Sequence, residues 1–277
     1  MLTLIVATCL MQSDGLMTSD DYAKVKHSRP YVLRIRTETT TILYFGIGHT
    51  RDPKDPQLKT AADLWDTLKP QVAIHESGSP RLESTLDNSV LMNGEPGWVG
   101  FKAKSEELPL ESLDSSKAQQ AEVLAKQFDP EILKSFYVLQ NIYEYLRRPV
   151  ERQRNTIDAV ATANIVRLSA IPALKGKPTN AAELRAILQR VVSPDARIET
   201  PPLSWFDPGL TEKRTTFNDI AKASSLLRDR FMIDRVVELA QGNRRAFIVM
   251  GASHVVMQEP ALRKRLPTAK FDLLMGR

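Results

Sequence analysis

Between Thr41 and Ser77 the chain changes its patterning in an order that few folds accommodate. "TILYFGIG" is apolar at almost every position, without the alternation of a half-exposed strand, which suits a strand buried on both faces. "TRDPKDPQ" follows and holds too many helix and strand breakers to be either element. "LKTAADLWDTLK" (58–69) then sets Leu58, Ala61, Leu64, Trp65 and Leu68 on one helical face, and Pro70 ends it. "QVAIHES" is a second short buried strand. Strand, loop, helix, strand is a βαβ unit, whose right-handed crossover makes the two strands parallel. Upstream, "RPYVLRIR" leads through the polar turn "TETT" into the first strand as a pair of β runs. The expected class is α/β: a mostly parallel central sheet flanked by helices.

The rest of the chain extends this plan. A polar, Gly/Pro-punctuated connection (77–97) leads to a short helix from Trp98 to Lys104 and a strand at "LPLESL". From Ser115 the character changes to amphipathic helices, with Ser115 or Ser116 as N-cap of the first and Asp129-Pro130 opening the second. This predicts a helical insert at about 115–200. A long helix from Thr216 to Gln241 follows, then the strand "RRAFIVMGASH", a last helix at "PALRKRL" and a last strand at "FDLLMG". Strands 41–48, 71–76 and 246–252 are expected to be neighbours with their carboxyl ends aligned.

Composition narrows the function. Basic residues (38) and acidic residues (33) are interspersed and aromatics are only 6 %, which argues against a nucleic-acid reader. The single cysteine, Cys9, excludes an internal disulfide and a cysteine-based zinc site. No stretch reaches the roughly 18 consecutive apolar residues of a membrane span. The apolar run Leu2–Met11 suits the core of a signal peptide, and "VATC" loosely resembles a lipoprotein cleavage box, but no Lys or Arg precedes it. Residues 1–16 thus read as a leader to a bacterial-type cell envelope, as an N-terminal strand, or as an over-extended start in a cytoplasmic protein. A single domain over 17–277 follows in each case.

Two apolar strands end in the same way. "FGIGH" places Gly46 three residues before His49, and "MGASH" places Gly251 three residues before His254. Glycine permits the sharp departure or the close backbone approach that a strand end of this kind needs. In an open α/β sheet, ligands bind outside the carboxyl ends of the parallel strands. His49, His254 and Glu76, which ends "VAIHE", are expected there, while His75 points to the opposite face from Glu76. Two imidazoles and a carboxylate are the ligand set of a divalent metal with positions left for water and substrate. The same groups also suit metal-free acid/base work. On the long helix, Arg228 lies among Leu226, Leu227, Phe231 and Met232, where a guanidinium calls for a carboxylate or a substrate oxygen. Asp229 and Asp234 read as partners of the helix's own arginines.

"GIGH" (46–49), "HES" (75–77), "RDRFM" (228–232) and "GASH" (251–254) together resemble the TraB, GumN and TIKI superfamily, a distant relation of the erythromycin esterases and the haem-binding ChaN proteins. "GEPGW" and "LPLESLD" resemble that family's middle region. The resemblance covers roughly residues 30–115 and 215–265. It implies an α/β fold in which His49, Glu76, Arg228 and His254 share a pocket seated on Gly46 and Gly251. The implied activity is metal-assisted hydrolysis of an amide or ester bond in a small-molecule or peptide substrate. The metal would be manganese, cobalt or zinc, bound by His49, Glu76 and His254, with Arg228 stabilising the oxyanion. The alternative is a non-catalytic protein that holds a ligand such as haem in the same pocket. Ile47-Gly48 and Thr50 depart from the residues usual around the family's first motif, which bears on substrate preference.

Overall fold

The structure is a computed structural model that describes residues 15–76, 80, 82–148 and 150–276. Most of the leader-like segment, with Cys9, lies outside the described residues, as does Ser77. One helical turn, α1 (Ser19–Tyr22), is closed by a capping box between Thr18 and Asp21. The strands β1 (Tyr31–Arg36) and β2 (Thr41–Ile47) then pair antiparallel, from Tyr31 opposite Gly46 to Arg36 opposite Thr41. Helix α2 (Pro56–Leu68) starts where Asp55 accepts a hydrogen bond from the Gln57 N–H, with Pro56 in the first turn, where a missing N–H costs nothing. It buries Leu58, Ala61, Trp65 and Leu68, and each leucine side chain contributes about 1.5–3 kcal/mol. Strand β3 (Val72–His75) closes the βαβ unit.

Next come α3 (Leu86–Asn93), α4 (Glu95–Ser105) and the short strand β4 (Leu110–Ser112). The sequence reading placed α3 in a loop and began α4 at Trp98. Helix α3 buries only Ser89 and Val90, too short a stripe to register as periodicity. Gly94 and Pro96 look like breakers, yet Gly94 is the N-cap of α4, at φ 67°, and Pro96 sits in its first turn.

From Ser115 the chain is helical: α5 (Lys117–Leu124), α6 (Pro130–Leu146), α7 (Ile157–Ser169), α8 (Ala181–Val191) and α9 (Thr216–Ala240). Ser116 and Asp129 cap α5 and α6 as their sequences predict. The chain then returns to the sheet through β5 (Arg245–Gly251), α10 (Ala252–Arg265) and β6 (Lys270–Met275). Two compact units result. One comprises the chain up to Asp114 and from Asp229 onward; the other is Ser115–Arg228, so α9 contributes residues to both. The helical stretch expected at about 115–200 therefore runs on into α9.

The first unit is an α/β fold on a six-stranded mixed sheet of order β4-β3-β5-β2-β1-β6. The β4–β3, β3–β5 and β5–β2 pairs are parallel, whereas β1 runs antiparallel to both β2 and β6. Strands β2 and β3 of the βαβ unit are not adjacent, because β5 enters between them. Both faces are buried. Tyr44, Ile74, Ile248 and Met250 pack with Met232, Ile233 and Val236 of α9 and with Val255 of α10. On the other face Leu43, Phe45, Phe247 and Val249 pack against Trp65 of α2 and Trp98 of α4, whose rings meet edge-on with centroids 5.8 Å apart. The second unit has its own core around Leu133, Phe136, Ile142, Leu168, Leu184 and Phe217. Its buried Lys134 donates to Ser169 Oγ at 2.7 Å and to the Gly176 carbonyl at 2.8 Å, and burial holds its pKa below the ordinary lysine value. No helix among the described residues is long and apolar enough to cross a membrane.

Candidate functional site

The parallel register brings three strand ends level. Ile47, the last residue of β2, pairs with Gly251, the last of β5, and His75 at the end of β3 pairs with Val249. His49 lies two residues past β2 and Glu76 one residue past β3. His254 is in the first turn of α10. The sequence reading carried the β5 strand on to the histidine and began the helix at Pro260. In the structure Gly251 ends the strand and is also the N-cap of α10, and Pro260 lies inside the helix. A proline favoured at a helix start had disguised a helix already two turns old.

The two motif glycines do different work. A Cβ on Gly46 would stand 2.8 Å from the Tyr31 carbonyl oxygen and 2.9 Å from Ala252 Cα, so this glycine lets the start of α10 lie against β2. A Cβ on Gly251 would stand 3.3 Å from His49 Nε2 and 3.6 Å from Glu76 Oε2. The missing side chain is therefore the seat on which His49 and Glu76 converge. Glu76 Oε2 accepts a hydrogen bond from the Gly251 N–H at 3.2 Å, and Glu76 Oε1 lies 3.5 Å from His254 Nε2. Thus His49, Glu76 and His254 come together around the end of β5.

Each histidine is held from behind by a carboxylate. His49, with its side chain 71 % exposed, pairs through Nδ1 with Glu95 Oε1 at 2.5 Å. Glu95 is buried at the start of α4. The hydrogen bond His49 donates to Glu95 raises the His49 pKa against the opposing effect of burial, and the charges of Glu95 and Glu76 add to it. His254 is 15 % exposed and pairs through Nδ1 with Asp229 Oδ1 at 2.7 Å. Burial works to lower its pKa, but the hydrogen bonds to Asp229 and Glu76 and their charges prevail and bring it up to about 10. Asp229 is fully buried and also accepts from Gln258 Nε2 at 2.6 Å, while Gln258 Oε1 accepts from the Tyr44 hydroxyl. Burial first, then the charges of Asp229 and Glu76, push the Tyr44 phenol well above its ordinary pKa.

His75 is buried within β3, and His27 pairs with the Tyr22 hydroxyl at 2.9 Å. Arg228 is the last residue of the second unit, next to Asp229 on α9, and is partly buried. Asp234 pairs with Arg265, whereas Asp229, expected to serve an arginine of its own helix, instead serves His254. Sequence reasoning passed over Asp229, Glu95, Gln258 and Tyr44 as site residues, although signals existed for two. Asp229 precedes Met232, Ile233 and Val236 at three, four and seven residues, which places it on the buried stripe of α9. Gln258 stands four residues after His254, on the same face of its helix.

In donor chemistry the set suits a divalent metal. His254 turns Nε2 toward Glu76, His49 Nε2 and Glu76 Oε2 both lie beside Gly251, and each imidazole is backed at Nδ1 by a second carboxylate, the arrangement that orients histidine ligands. Among the described residues, however, no group of three or more His, Cys, Asp or Glu is drawn up at metal-binding spacing, and Glu76 and His254 face each other as a pair. The chain matches no family model, no curated protein and no solved structure.

Proposed function

We propose that this protein is a metal-assisted hydrolase of amide or ester bonds, resembling the TraB, GumN and TIKI proteins. The observation that carries the reading is the pair of carboxylate-backed imidazoles gathered with Glu76 around Gly251 at the aligned strand ends. Residues His49, Glu76 and His254 would hold the metal, with manganese, cobalt or zinc the candidates that suit two imidazoles and a carboxylate. The ion's contribution is Lewis-acid polarisation of the scissile carbonyl.

The remaining chemistry belongs to the chain. Glu76 serves either as a ligand of the metal or as the general base that takes a proton from the attacking water; its Oε2 is steadied by the Gly251 N–H, which leaves Oε1 facing His254. His49 stands at the solvent side of the group, where a small-molecule or peptide substrate enters, and Glu95 fixes its ring orientation. Arg228 enters on the strength of the "RDRFM" motif alone, as the cation that stabilises the developing oxyanion.

Metal analysis of the purified protein tests the reading, alongside hydrolysis of a panel of peptide and ester substrates. About one manganese, cobalt or zinc per chain, lost in His49→Ala, is the expected result. Failure to take up any of the three metals, with no hydrolysis, would refute it. A Soret band on addition of haem to the same metal-free protein would replace it with the ligand-binding alternative.

A further inference from the structure

We infer that Tyr44 and Gln258 are positioning residues: acting through Asp229, they hold the His254 ring with its Nδ1–H on Asp229 and its Nε2 turned to Glu76. The inference goes beyond the ligand set and rests on the proposed reading only in taking Nε2 as the working atom.

It follows from counting donors and acceptors along one buried chain. The Tyr44 hydroxyl has one proton to give and is fully buried on β2; it donates to Gln258 Oε1. That contact decides which way the Gln258 amide faces. With Oε1 toward Tyr44, Nε2 faces Asp229 Oδ1 at 2.6 Å, with the Met232 sulfur as a second, weaker neighbour at 3.5 Å. The flipped amide would set oxygen against carboxylate, an arrangement with no hydrogen bond to offer. An ionised carboxylate only accepts, so the His254 nitrogen at 2.7 Å from the same Oδ1 must carry a proton. Nδ1–H is thereby committed to Asp229, and Nε2 is the nitrogen that faces Glu76, 3.5 Å from its Oε1.

Gln258 has a further effect on Asp229. The carboxylate is fully buried, and its Oδ2 has no hydrogen-bond partner among the described residues. The His254 and Gln258 N–H groups are therefore the two donors that compensate its charge. The chain also has a topological consequence. Tyr44 lies two residues before Gly46 on the strand that leads to His49, and Gln258 lies on the helix that carries His254. The two G-x-x-H arms are thus linked through the core as well as at the surface.

The test uses the full chain, labelled with ¹⁵N-histidine. The chain has only four histidines, so their ring signals are few enough to assign. A slowly exchanging, downfield Nδ1–H proton is expected for His254 in the parent protein. It should be lost or broadened by exchange in Gln258→Leu and weakened in Tyr44→Phe, which changes no ring volume and guards against misfolding of the first variant. Zinc affinity, measured by calorimetry with Zn²⁺ alone, should fall about tenfold to a hundredfold in Gln258→Leu, the effect typical of residues that orient a ligand. Leu262→Ala, a buried change farther along α10, is the control for simple destabilisation and should leave both readouts unchanged. An unchanged Nδ1–H signal in both variants overturns the inference, as does an equal loss of the signal in Leu262→Ala. A parent protein that takes up none of zinc, manganese and cobalt and hydrolyses nothing, but shows the Nδ1–H signal, lost in Gln258→Leu, supports the positioning chain while removing the hydrolase reading.

Discussion

The two motif glycines occupy equivalent places in the sequence, and the structure predicts that alanine at each gives opposite results. In Gly46→Ala the new Cβ would stand 2.8 Å from the Tyr31 carbonyl oxygen, 2.9 Å from Ala252 Cα and 3.0 Å from Val255 Cγ2. The two nearest atoms are backbone, of β1 and of the first residue of α10, so relief requires an element to move. Overpacking of this kind costs about 1–3 kcal/mol, and the stiffer unfolded chain returns only about 0.4–1 kcal/mol. A net loss of about 1–2 kcal/mol lowers Tm by roughly 2–8 °C in a protein of this size. In Gly251→Ala the backbone, at φ −58° and ψ 135°, accepts alanine, and the nearest atoms are His49 Nε2 at 3.3 Å and Cε1 at 3.4 Å. His49 is exposed and can swing away, so stability should stay within about 1 kcal/mol of the parent. The swing takes His49 off its seat beside Glu76, and zinc affinity should drop about tenfold or more. Thermal melts and zinc calorimetry on the two variants decide the matter. If Gly251→Ala melts as early as Gly46→Ala, or binds zinc as tightly as the parent, Gly251 is not the seat of the site.

Two further outcomes follow from the same geometry. The His254 pKa is raised from an ordinary 6.5 to about 10, so its stabilising contribution is complete below the unfolded-state value and is lost as pH rises from 6.5 through about 10. Urea denaturation of the metal-free protein across that window should show a decline of at most on the order of 4 kcal/mol; His254→Gln should flatten it, and an equal slope in that variant would refute the assignment. Leu43→Ala and Ile248→Ala open cavities on opposite faces of the sheet, and each should cost about 2–5 kcal/mol by the same measurement. Losses below about 1 kcal/mol would contradict the close packing described for either face.

What the sequence determined by itself is what short-range physics encodes. The unbroken apolar run of β2 requires burial on both faces, the Asp129-Pro130 pair starts a helix, and the breakers from 50 to 55 form a loop, although Pro56, read as one of them, instead opens α2. With the right-handed crossover rule, these local features lead to an α/β sheet and place His49 and Glu76 at strand ends. Short-range physics fails where two signals compete: Gly94-Glu95-Pro96 and Pro260 carry helix-breaking residues inside or at the start of helices that tertiary packing supports. It has no access at all to pairings between segments far apart in the chain. That β5 enters between β2 and β3 depends on which strand best fills both faces of the core. The partnership of Glu95 with His49 and of Asp229 with His254 spans 46 and 25 residues, and the Tyr44–Gln258 link spans 214. Donor and acceptor types can be read at each position, but which ones meet is set by the packing of sheet against helix, and those meetings decide which nitrogen of each histidine is left to act.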